Sequence, residues 1–212
     1  MLSRELRRLQ EQSAPLAGGE AARLLRAALA GEIRLTDWQL EQCRRTVPKF
    51  AEHVWDWVYA FTGVRIARTA VCRGHSAPLD MFVEQVLTRP DLSLWHGPRG
   101  GGKSFLSALD THLSSRFNPR HATRILGGSK AQSEQIYQAI RDAVMGGSGP
   151  LGSDADAIAR LLKTEATYVN GSEVAILAAS STSVRGPHVQ SLKLDEVDEI
   201  DPDIRESALG MV

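Results

Sequence analysis

Apolar positions recur at helical spacing through residues 1–62. Leu2, Leu6 and Leu9 share one face, Pro15 to Gly19 interrupts the pattern, and Glu20 to Ala30 resumes it in a run rich in Ala, Leu and Arg. Thr36-Asp37-Trp38-Gln39 has the capping-box form, with Thr36 as N-cap and Gln39 reaching back to its amide. Pro48 suits a first helical position, and Phe50, Val54, Trp57 and Phe61 follow at spacings of four, three and four. The cluster Trp55, Trp57, Tyr59 and Phe61 has the composition of a base-stacking surface, but half of it falls on that apolar face, so core packing is the expected use.

From residue 63 the pattern changes to strands alternating with helices, which implies an α/β sheet. Val64 to Val71 reads as a strand and Pro78 to Leu87 as a helix. Asp91 to His96 holds a short apolar run suited to a buried strand, and Phe105, Leu106, Leu109 and Leu113 then return to helical spacing. Thr123 to Leu126 is a short strand closed by Gly127-Gly128. Ser129 to Gln132 is a second capping box, opening a helix to about Val144. Met145 to Ser153, with four glycines and a proline, is expected to be a mobile loop. Thr164 to Val169, Asn170-Gly171 and Glu173 to Ala178 form a strong hairpin signal. The expected organisation is a helical segment over 1–62 and an α/β domain over 63–212.

Composition narrows the class. Apolar residues make up 42% of the 212, enough for a sizeable core, and the formal net charge is zero. The charge is unevenly spread: residues 1–50 carry a balance of +3, and residues 191–206 one of −5. Cys43 and Cys72 have no metal-like spacing, no apolar run approaches a transmembrane length, and the N-terminus lacks an apolar signal core. A reducing, cytoplasmic setting without membrane contact is the expectation.

The chemistry concentrates in Gly97-Pro98-Arg99-Gly100-Gly101-Gly102-Lys103-Ser104, a glycine, four free positions, then Gly-Lys-Ser. Glycines at such density let successive amides form a nest for phosphate oxygens. Lys103 adds a charge for the β/γ-phosphates, and the Ser104 hydroxyl can sit on Mg²⁺. A strand before the loop and a helix after it complete an anion site. Ser191 to Glu196 is a short apolar strand ending in two acids. Asp195 can hold Mg²⁺, and Glu196 can polarise the water that attacks a γ-phosphate. An acidic cluster beside a phosphate loop has the charge logic of a magnesium site. Arg99 either reaches the γ-phosphate or a neighbouring subunit, or faces solvent. Arg185 is either a DNA-phosphate contact or arginine finger, or an exposed loop charge. Gly127 to Lys130 either approaches the ligand crevice or is a plain strand-to-helix turn. Asp198, Glu199, Asp201 and Asp203 read as solvated or helix-capping, and the lone histidines, His75, His96 and His188 among them, as structural or exposed.

In order, Gly97 to Ser104, Leu126-Gly-Gly-Ser-Lys-Ala-Gln-Ser133, Ser183-Val-Arg-Gly-Pro187 and Leu194-Asp-Glu-Val-Asp-Glu-Ile200 resemble the large subunit of the tailed-bacteriophage terminase over about residues 63–212. The resemblance implies a P-loop NTPase fold with a mainly parallel sheet flanked by helices. It implies an ATP- and Mg²⁺-dependent motor that drives double-stranded DNA into a procapsid. The implied partners are a homo-oligomeric ring, a portal protein and a small terminase subunit. By position, Gly97 to Ser104 would bind ATP, Ser104 and Asp195 would hold Mg²⁺, and Glu196 would be the catalytic glutamate. The family continues into a coupling motif and a nuclease domain with clustered acids, and the sequence ends at Val212 before either. A helicase-like ATPase and an inactive nucleotide-binding remnant are the alternative readings.

Overall fold

A computed structural model describes residues 16–70, 72–146, 149–178, 180 and 188–212. The expected face of Leu2, Leu6 and Leu9, and the segment Ser183 to Pro187 with Arg185, lie outside the described residues. Two compact units are present. One runs up to Val83 and takes in the described residues 149–153; the other holds the described residues from Glu84 to Met145 and Gly146, and from Asp154 to Val212. Residues 63–83 thus group with the helical segment.

The first unit is built on helices α1 (Gly18–Leu29), α2 (Asp37–Arg45) and α3 (Ala51–Thr62). α2 begins as its sequence dictates: the Thr36 hydroxyl accepts from the Gln39 amide at 3.2 Å and the Gln39 side chain accepts from the Thr36 amide at 2.9 Å. α3 starts at Ala51, so Pro48 lies upstream of the helix and not in its first turn. It ends on Gly63 at φ 74°, a left-handed cap that glycine adopts freely. The aromatic cluster divides between two uses. Trp57 and Phe61 are buried with ring centroids 5.2 Å apart, whereas Trp55 and Tyr59 form a separate half-buried pair. The strand expected over Val64 to Val71 does not form among its described residues. That stretch is tied to α4 (Pro78–Thr88), which spans the boundary of the two units, by the Leu79 amide donating to the Ala67 carbonyl at 3.0 Å.

The described part of the glycine-rich stretch is anchored, contrary to the expected mobile loop. Gly149 and Gly152 exchange backbone hydrogen bonds, and the Leu151 amide donates to the Ala60 carbonyl at 3.0 Å. A Cβ on Gly149 would lie 2.0 Å from that same carbonyl oxygen, so only glycine lets the chain pass so near α3.

The second unit carries a five-stranded sheet in the order β2-β3-β4-β1-β5, with β1 (Ala122–Gly127), β2 (Ile158–Leu161), β3 (Glu165–Tyr168), β4 (Glu173–Ile176) and β5 (Ser191–Asp195). The expected parallel character holds at β1, which pairs parallel with both β4 and β5. The Asn170-Gly171 turn forms the β3–β4 hairpin, and β2 extends it antiparallel, so the sheet is mixed. Helices cover both faces. α5 (Lys103–Phe117) and α6 (Lys130–Arg141) share one core with Ile125 of β1, Tyr168 of β3 and Val174 of β4. On the other face Leu126 of β1, Leu192 and Leu194 pack with Ile204 and Ala208 of α7 (Pro202–Leu209). Successive strand residues point to opposite faces, so Leu192 and Leu194 face α7 while Ser191, Lys193 and Asp195 turn to the α5 side.

The buried strand expected over Asp91 to His96 is absent. Among the described residues the segment pairs with no strand, and Leu92 and Leu94 are 82% and 80% exposed. Its apolar residues qualify it for a sheet only if an edge receives it, and no local pattern encodes that. Among the described residues no helix is long and apolar enough to cross a membrane.

Candidate phosphate and magnesium site

α5 opens on Gly102, which sits at φ 83° and turns the chain from the glycine loop into the helix. A side chain at this position would strain the backbone, so the glycine is a structural requirement of the turn. The first amides of a 15-residue helix then face the loop with no intrahelical acceptor, the arrangement that attracts anions. The Lys103 ammonium folds back over the loop and donates to the carbonyls of Gly97 at 2.7 Å and Pro98 at 3.0 Å. Arg99 and Gly100 to Gly102 are exposed, and Gly97, Lys103 and Ser104 half-buried.

The acidic strand end comes to this loop. The Ser104 hydroxyl donates to Asp195 Oδ2 at 3.0 Å across 91 positions of sequence. Two hard oxygen donors, a hydroxyl and a carboxylate, therefore stand side by side at the helix N-terminus. This suits Mg²⁺, which takes one or two protein oxygens and completes its shell with water and phosphate. Among the described residues no cluster of three or more His, Cys, Asp or Glu side chains offers a metal site. A site built on Ser104 and Asp195 therefore depends on the ligand's own oxygens.

A second contact fixes the geometry beneath Asp195. Lys193, on the same strand face, forms an ion pair with Asp110 of α5, which is 2% exposed. β5 and the helix that follows the loop are thus joined at Ser104–Asp195 and again at Asp110–Lys193.

Glu196 follows β5 at φ 49°, one of three described non-glycine residues with positive φ. Such a backbone recurs at functional positions. Its carboxyl is exposed and accepts from Gln132 Nε2, which also donates to Glu199 at 2.7 Å. The amide orientation of Gln132 is set by the capping box, in which its Oε1 accepts from the Ser129 amide at 2.6 Å. The Glu199 charge raises the Glu196 pKa, partial desolvation and Asp195 add to this, and the Arg99 guanidinium opposes it. Arg99 thus acts electrostatically on Glu196. Gly128 permits the close approach, since a Cβ there would stand 2.8 Å from Glu199 Cβ.

Of the residues expected at a site, the structure brings together Lys103, Ser104 and Asp195, with Glu196 next along the chain and Arg99 within its field. Arg185 lies outside the described residues. Asp201 is a cap, its Oδ1 accepting from the amides of Asp203 at 2.9 Å and Ile204 at 3.2 Å. His75, His96 and His188 are exposed. Sequence reading missed Gln132 and Glu199 as neighbours of Glu196. The capping box that marked Gln132 as a helix start was the available signal, and Gly127-Gly128 marked the close approach. It also missed a buried network in which His112 Nε2 lies 3.0 Å from Asp154 Oδ2 and His112 Nδ1 lies 3.0 Å from the Tyr168 hydroxyl.

The chain matches no protein-family model and no curated protein.

Proposed function

We propose that this chain is a P-loop NTPase: an ATP-hydrolysing motor subunit that packages viral double-stranded DNA, of the kind found in the terminase large subunit. The observation that carries the reading is the Ser104–Asp195 hydrogen bond at 3.0 Å, which unites the glycine loop with the acidic end of β5. In this reading bound Mg²⁺-ATP supplies a neutralised triphosphate. The loop amides and Lys103 hold its phosphates, exchanging the present carbonyl contacts of Lys103 for phosphate oxygens. Ser104 and Asp195 hold the ion. Glu196, ionised, accepts a proton from the attacking water, with Gln132 fixing its carboxylate. Arg99, whose charge acts on Glu196, is the candidate to stabilise transferred charge. A ring of copies, a portal and a small terminase subunit are the partners this function requires.

The experiment is phosphate release from ATP by the purified chain, alone and with duplex or single-stranded DNA. The expected result is magnesium-dependent turnover raised by duplex DNA, abolished in Lys103→Ala, and lost with ATP binding retained in Glu196→Gln. Turnover raised only by single strands points to a helicase-like enzyme. ATP binding without turnover in the unaltered chain points to an inactive remnant.

A further inference from the structure

We infer that the first unit carries a phosphate-binding site for the backbone of nucleic acid, built from Arg65 and Arg68 held on the rings of Tyr59 and Trp55. The inference rests on this unit alone and not on nucleotide turnover in the second.

A cavity of about 270 Å³ opens between α1, α3 and the segment after Gly63. Its floor is the half-buried pair Trp55 and Tyr59, one helical turn apart on α3, with ring centroids 6.2 Å apart. The Arg65 guanidinium lies 4.2 Å from the Tyr59 centroid, and Arg68 lies 4.6 Å from that of Trp55. A guanidinium over a ring satisfies its face and leaves its in-plane N–H groups to donate elsewhere. Arg65 donates to the Tyr59 hydroxyl at 2.7 Å and has no acidic partner among the described residues. Arg68 pairs with Glu52, and Arg26 of α1 bridges Asp56 at 3.0 Å and Glu52 at 3.4 Å. The two acids therefore orient two of the arginines and leave the positive charge of Arg65 over. Arg23, exposed and one turn before Arg26, carries the basic row further along α1.

The chemistry selects the ligand. Each ring carries an arginine over one face, so what the site presents is guanidinium N–H donors on an aromatic floor, suited to phosphate oxygens. The cavity is smaller than the roughly 300–1,000 Å³ of pockets that enclose whole small ligands, which suits a phosphodiester group better than a nucleotide. Guanidinium forks match phosphate oxygens. One surplus charge holds an isolated phosphate weakly. A polyanion lets Arg23, Arg65 and Arg68 each meet a different phosphate with release of its counterions. Binding is thus independent of base sequence.

The test is fluorescence anisotropy of a labelled mixed-sequence DNA duplex with the full chain, without nucleotide, over a salt series. Arg65→Ala with Arg68→Ala is expected to weaken binding about tenfold or more and to lower the log–log salt slope at least as far as Arg65→Ala alone. Arg65→Ala alone, an exposed residue whose loss leaves the fold intact by circular dichroism, lowers the slope by about one. Arg160→Ala, an equal charge loss in the second unit, leaves affinity and slope unchanged. An unchanged slope in both arginine variants overturns the inference. Equally, capture of the chain by phosphatidylserine vesicles but not by the duplex overturns it.

Discussion

Lys193→Met isolates the contact that holds β5 against α5. Asp110 is 2% exposed and Lys193 17%, so the substitution strands a carboxylate in a site that water hardly reaches. Breaking a buried pair from one side costs about 3–5 kcal/mol, and the residual access at Lys193 argues for about 3 kcal/mol. At about 1.4 kcal/mol per factor of ten, this is a roughly hundredfold loss in protection of the amides it governs. The assay is hydrogen–deuterium exchange of peptides covering β1 and β5, which report the second unit separately from the helical one. Asp110→Leu combined with Lys193→Met removes both charges and is expected to recover most of the protection, since a hydrophobic replacement of a buried pair is close to neutral. Asp195 lies two residues from Lys193 on the same strand face, so the single variant is also expected to loosen the Ser104–Asp195 contact. A single variant that exchanges like the parent, or a double variant as damaged as the single, refutes the reasoning.

Three further outcomes follow from particular side chains. Glu199→Gln removes the charge that most raises the Glu196 pKa, so the acid limb of a kcat–pH profile moves to lower pH; an unmoved limb separates Glu199 from Glu196. His53 is fully buried, neither ring nitrogen has a hydrogen-bond partner among the described residues, and burial lowers its pKa from 6.5 to about 4. The unfolded chain takes up that proton first, so stability falls by up to about 3 kcal/mol as pH drops from about 6.5 to about 4. Denaturant melts of His53→Leu at neutral and acid pH should show a smaller difference than the parent, and an equal difference contradicts the assignment. Gly149→Ala places a methyl 2.0 Å from the Ala60 carbonyl oxygen and is expected to destabilise the first unit by about 2–3 kcal/mol, read as a lower Tm; an unchanged Tm contradicts the packing.

What the sequence made legible was mostly local. The boxes at Thr36 and Ser129 and the cap at Asp201 each satisfy backbone groups within three residues, and each stands where the chain spells it. The Asn170-Gly171 turn likewise fixes its hairpin from within. Among strands that need a distant edge, β1 and β5 were legible as short apolar runs, whereas pattern alone did not tell which other runs would be received. Leu92 and Leu94 alternate as a strand should and lie in solvent, whereas Ile158 to Leu161, a short run without turn residues of its own, joins the sheet through β3. Gly149 looked like part of a flexible tract because its requirement comes from Ala60, some ninety residues earlier. At the site, the loop and the Asp195-Glu196 pair were recognisable by residue type. Gln132 and Glu199 were not, because the contact between them and Glu196 is made by the turn at Gly127-Gly128 and by the return of the chain after β5.

The most direct test of the central claim is equilibrium binding of ATP to the unaltered chain, Ser104→Ala, Asp195→Asn and the double variant, with and without Mg²⁺. If the loop hydroxyl and the strand carboxylate serve one ion, magnesium strengthens ATP binding in the parent. Each single variant then abolishes that gain, and the double variant is no worse than either. ATP affinity that ignores magnesium, or losses that simply add, would contradict a shared site.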